Sequence, residues 1–188
     1  MTPGKQRRSD AERSRRVVIE TGVELLAGDP EAGMQEVADA SGLGRTTVYR
    51  HFPSREILLE AVIEEILDRS RRELEAAVAD DDPEAAIRGL GATSIGLALR
   101  FGRLFASRDE TSAAYEAFKH DDSSPARRFL ATARGRGRIR DDMPVGWMRS
   151  VIQAVTFTAV DEIGAGTLAE DAAVRLAGDT LVSILIRG

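Results

Sequence analysis

Apolar residues recur along this chain at three- and four-residue intervals, and the runs are separated by glycine, proline and aspartate. The first run covers 10–27, where Val18, Gly22, Leu25 and Leu26 fall at helical spacing, and Asp29-Pro30 ends it. Two much shorter runs follow, hinged at Gly42. Ser54 is a good N-cap, and SREILLEAVIEEILDRSRRELEAAVAD predicts a helix to about residue 79 with Leu58, Ala61, Val62, Ile66 and Leu74 as its apolar positions. At 1.5 Å per residue it is about 37 Å long, more than one small domain needs, and so links the first part of the chain to the rest.

Asp80-Asp81-Asp82-Pro83 breaks that helix, with Pro83 at the first position of the next. This one runs to about residue 101 despite Gly89, Gly91 and Gly96, each costing up to about 1 kcal/mol against alanine. A short amphipathic piece is expected at 109–120, a helix at 124–134, a loop at GRGRIRDDMP, and two last helices at 144–163 and 168–186 around Gly164-Ala165-Gly166. β-Branched residues fall at helical rather than alternating spacing, so no strand is predicted. The expected fold class is all-α: an amino-terminal helical domain at 1–53, a linking helix at 54–82 and a carboxy-terminal helical domain at 83–188.

The segment GMQEVADASGLGRTTVYRHF, residues 33–52, is the most informative. It reads as two short helices, too short to hold together alone in water. Val37, Ala38, Leu43, Val48 and Phe52 form their shared seam, and Val48 and Phe52 lie four apart on one face. Ala38 is small enough for the steep crossing of a helix-turn-helix. Gly42 is where a left-handed residue closes the first helix cheaply. With the inward positions used, the second helix turns Arg45, Thr46, Thr47, Tyr49, Arg50 and His51 outward and carries no acid. That surface suits a DNA major groove.

Continuously from about 17 to 62, the chain resembles the DNA-binding domain of the TetR family of bacterial transcriptional repressors. The string Tyr49-Arg50-His51-Phe52-Pro53-Ser54-Arg55 is specific to that family's pattern. Gly33 and Gly44 stand where family members usually have Thr or Ser, so a hydroxyl contact to phosphate is absent at both helix starts. The resemblance implies Tyr49, His51 and Arg55 as DNA-backbone contacts, a palindromic double-stranded operator bound by a homodimer, and repression relieved by an effector.

Read from residue chemistry alone, Arg45, Thr46 and Thr47 open the second helix where side chains meet base edges, with Gly44 at its start. Arg50, His51 and Arg55 are suited to phosphates, fixing register. Tyr49 faces away from the seam, as a DNA contact or as packing on the long helix.

The net charge of −5 argues against nucleic acid until its distribution is seen. Residues 1–16 carry six Lys/Arg against Asp10 and Glu12, 17–44 carry only acids, and Arg45, Arg50 and Arg55 follow with no acid between them. Phosphate contact depends on local charge, although a basic tail can also be a mere solvated face. With 43% hydrophobic and 30% charged residues, no apolar stretch of membrane length and no signal-peptide pattern, the expectation is a soluble cytoplasmic protein. Zero cysteines exclude disulfides and thiolate chemistry.

The last two runs are apolar on more than one face, which implies burial on more than one side. Met148, Ile152, Val155, Ala159, Leu181, Ile184 and Leu185 are the expected dimer interface, in a four-helix bundle across a two-fold axis. The alternative is a helix buried wholly in its own domain. Leu97, Phe101, Leu104, Phe105, Tyr115, Phe118 and Phe129, closed by Phe157 and Asp161, could line a cavity for a small apolar effector, or be plain core. His120-Asp121-Asp122 reads as solvated surface rather than metal site, and no cofactor is expected. No catalytic constellation is present, so an enzyme has little support. The remaining alternative is a regulator controlled by a protein partner, or not controlled at all.

Overall fold

The computed structural model describes residues 3–106 and 123–186, and among these all regular structure is helical. The helices are α1 (Pro3–Gly28), α2 (Met34–Ser41), α3 (Arg45–His51), α4 (Arg55–Ala77), α5 (Pro83–Ala106), α6 (Pro125–Gly135), α7 (Val145–Gly164) and α8 (Glu170–Leu185). The expected piece at 109–120, with His120 to Asp122, lies outside the described residues. α1 begins before Asp10 and α5 continues past Phe101; most other bounds fall within two residues of expectation.

The chain divides into two compact units. Among the described residues the first comprises 3–68 with 103–106, and the second 69–102 with 123–186, so the division falls inside both α4 and α5.

In the first unit α1 packs on α2 and α3, and α2 on α3. Val18, Val37, Val48, Phe52 and Val62 are almost wholly buried, and each such side chain contributes about 1.5–3 kcal/mol. A β-carbon at Gly22 would sit 2.7 Å from Val62 Cγ2, so this glycine makes room for the Val62 side chain of α4. Gly42 has φ of 67°, and its N–H donates to the Asp39 carbonyl, closing α2 in the left-handed conformation. At the other end of α2 the Gly33 N–H donates to the Glu36 carboxylate at 2.6 Å, the half of a capping box that survives without an N-cap side chain.

In the second unit Ile87, Leu90, Leu130, Met148, Ile152, Leu181 and Leu185 form one core cluster. Ile95, Ala159, Ala173 and Ala177 form another. Asp82 caps α5 by accepting from the Glu84 and Ala85 amides. Ile139, expected in a loop, is 3% exposed and belongs to the larger cluster. Gly89 and Gly91 leave no open space: β-carbons there would lie 2.8 Å from the Ala77 carbonyl oxygen and 3.0 Å from Leu181 Cδ1. They let α5 pack tightly.

The expected dimer interface needs correction. Met148, Leu181 and Leu185 are 0% exposed within one chain, and Ile152 and Ala159 are 6% and 7% exposed. They have almost no area left to give a partner. On α7 and α8 the large apolar side chains turned to solvent are Trp147 (61%), Phe157 (50%) and Leu176 (56%). Val155 and Ile184 are half-buried against the clusters.

Candidate nucleic-acid interface

α3 follows from its borders. Gly44 is its N-cap, in an extended conformation and without a side chain, and its carbonyl accepts from Thr47 and Val48. Phe52 caps the other end, buried, with its N–H on the Val48 carbonyl. Val48 and Phe52 anchor the helix inward. Arg45, Thr46, Tyr49 and Arg50 are exposed, while Thr47 and His51 are half-buried.

The surface is electropositive because nothing on it is neutralised. α3 carries no acid, and among the described residues Arg15, Arg45 and Arg50 form no ion pair. The α2 acids are occupied locally: Glu36 by the Gly33 amide and Asp39 by Gln35 Nε2 at 2.8 Å. Arg45 lies over the Tyr49 ring, 5.3 Å from its centroid.

Arg15 of α1 lies over the Phe52 ring at 5.2 Å, which brings it beside His51. Burial, then Arg50, then Arg15 hold the His51 imidazole below its ordinary pKa. Its Nε2 is buried with no hydrogen-bond partner. Arg15 is absent from the residues singled out by sequence; the basic run at 1–16 was its only signal, and that run does not tell which arginine reaches α3.

Arg55 departs from expectation. Its Nη2 donates to the Pro30 carbonyl at 2.6 Å and its Nε to the Ala32 carbonyl at 3.1 Å, both part-buried. A guanidinium so engaged braces the turn between α1 and α2.

Residues 18–62 match the sequence profile of the bacterial regulatory proteins of the tetR family. Over that segment the chain is similar to the TetR family. It is 37% identical over 78 residues to the HTH-type transcriptional repressor LfrR of Mycolicibacterium smegmatis, a match covering 41% of each chain. It is 31% identical over 80 residues to the HTH-type transcriptional regulator SAR0097 of Staphylococcus aureus, covering 41% of this chain and 42% of that one. The chain thus matches about two-fifths of the length of these relatives. The crystal structure of LfrR from Mycobacterium smegmatis in complex with proflavine superposes with a TM-score of 0.68 at 24% identity, covering 94% of this chain and 99% of that one. At that identity the likeness is one of fold, and it extends the shared architecture beyond the matched TetR segment.

Among the residues expected to line a cavity, Phe101 and Leu104 are buried and Leu97 and Phe105 half-buried. Phe129 packs on the larger core cluster and borders an open cavity of about 490 Å³ with Thr132, Arg136 and Arg138. Phe157 and Asp161 are exposed on α7 and close no apolar space. Tyr115 and Phe118 lie outside the described residues. No helix among the described residues is long and apolar enough to cross a membrane.

Proposed function

We propose that this protein is a DNA-binding transcriptional regulator, a repressor that binds a palindromic operator as a homodimer and is released by a small effector. The observation that carries the reading is α3: a short helix anchored by Val48 and Phe52, with unpaired Arg45 and Arg50 facing outward and Arg15 stacked alongside. Arg45, Thr46 and Gly44 at its amino-terminal end are the base-reading part, with Thr47 less available because it is half-buried. Tyr49, Arg50, His51 and Arg15 hold phosphates on either side. Arg55 supports them from behind.

The second copy docks on the outward faces of α7 and α8. Trp147, Phe157 and Leu176 are the anchors, beside a shallow apolar groove of about 240 Å³ lined by Ala154, Thr158, Ala173 and Ala177 among others. Two-fold symmetry then requires an inverted repeat with half-sites about one duplex turn or more apart. An effector in the carboxy-terminal part is supported by LfrR's complex with proflavine and by the aromatic residues along α5 and α6. It would act by preferring the population whose reading heads do not fit the operator, and α4, shared by both units, is the element through which that preference is felt.

The test is selection of bound duplexes from random DNA at low salt. An enriched inverted repeat is expected, and no preference for any inverted repeat over scrambled competitor overturns the reading.

A further inference from the structure

Arg45 is the first residue of α3, exposed, with a side-chain-less N-cap before it and no acid on its helix. Such an arginine normally samples many rotamers, and fixing it against a base edge loses that freedom. Among the described residues its guanidinium has one partner, the ring of Tyr49 one helical turn on, 5.3 Å away. The nature of that partner matters. A carboxylate would consume the guanidinium donors that guanine O6 and N7 require. A π-face attracts the cation through its quadrupole and accepts none of the hydrogen bonds, so the donors remain available.

We propose that Tyr49 determines sequence specificity through its ring: the face of the phenol holds Arg45 in the orientation that reads a base, and the hydroxyl is not needed for that discrimination. The inference rests on the DNA-reading function proposed above. It separates two roles in one residue, since the hydroxyl remains free to meet a phosphate while the ring acts as a positioning platform. A phosphate contact alone would weaken all duplexes alike. A platform for Arg45 changes the ratio between right and wrong bases.

The experiment measures binding of the full-length protein to its selected operator and to the operator mutated at the base pair where Arg45→Ala loses discrimination. Tyr49→Phe is expected to keep the wild-type ratio, and Tyr49→Trp likewise, because both retain a π-face. Tyr49→Leu is expected to lower that ratio about two- to fivefold, and to lower it no further in an Arg45→Ala background. Tyr49 is exposed on a short helix, so these variants leave the core intact, and thermal melts of each check this. A wild-type ratio for Tyr49→Leu, or a loss for Tyr49→Phe as large as for Tyr49→Leu, overturns the inference while the DNA-binding reading stands. An Arg45→Ala variant that loses affinity equally at all positions does the same. A wild-type protein with no sequence preference overturns both.

Discussion

The guanidinium of Arg55 reaches back twenty-five positions to the carbonyl of Pro30, 2.6 Å away, and so ties the start of α4 to the turn that precedes α2. A hydrogen bond from a charged donor in a part-buried place contributes about 1.5–3 kcal/mol. Arg55→Ala is therefore expected to lower unfolding free energy by about 1–3 kcal/mol, read by urea denaturation. Its DNA affinity should fall on all sequences while the dependence of log K on log salt stays at the wild-type slope. A phosphate contact would instead remove about 0.9 from that slope. A flattened slope with unchanged stability would return Arg55 to the DNA surface.

His51 gives a pH dependence whose sign follows from its environment. Burial, reinforced by Arg50 and Arg15, lowers its folded-state pKa below the ordinary 6.5. Between that lowered value and 6.5 the unfolded chain binds the proton and the folded chain does not, so stability rises with pH across the window. The contribution is complete above 6.5 and is lost as pH falls to the folded value. A phosphate beside the ring reverses the balance, since the anion favours the imidazolium. DNA binding then takes up a proton, and affinity should rise as pH falls from about 7.5 to about 5.5, by at most about tenfold per pH unit. His51→Gln is expected to remove this slope in a fluorescence titration. An identical slope in that variant would place the linked proton elsewhere.

Gly89 and Gly96 share α5 but have opposite surroundings. A β-carbon at Gly89 would be 2.8 Å from the backbone oxygen of Ala77, whereas one at Gly96 meets nothing within 4 Å. Gly96→Ala should stabilise the protein by up to about 1 kcal/mol through helix propensity. Gly89→Ala should destabilise it by about 1–3 kcal/mol, because α5 must move away from the end of α4. Thermal melts of the two variants decide this: equal shifts in one direction would mean that the approach of α5 to Ala77 is not tight.

What was legible in the sequence and what was not have different physical origins. Helix positions follow from periodicity, glycine and proline, which act within a few residues; Gly42 closing α2 and Pro83 opening α5 are read directly. The outward residues of α3 were legible because Val48 and Phe52 leave no doubt about its inner face. Arg55 was not, since a basic side chain looks the same whether it meets phosphate or a distant carbonyl. Nor was the phase of α7 and α8, where apolar residues run around much of the girth and Met148 differs from Trp147 only in its neighbours. Arg15 needed the fold to bring α1 beside Phe52.

That ambiguity of phase yields a sharp contrast between two α7 residues. Met148 is 0% exposed inside the larger core cluster, and Phe157, about two and a half helical turns further on, is 50% exposed. Met148→Ala removes buried volume and should lower protomer stability by about 2–5 kcal/mol. Phe157→Glu removes an anchor and places a charge on the apolar face, so the dimer should weaken about thirtyfold or more with the protomer fold unchanged. Sedimentation at micromolar concentration should find dimer for wild type and monomer for Phe157→Glu. Because association stabilises only the folded chain, the wild-type Tm should rise with protein concentration and that of Phe157→Glu should not. A Phe157→Glu protein that remains a dimer would move the interface off this face, and with it the spacing of the two reading helices on DNA.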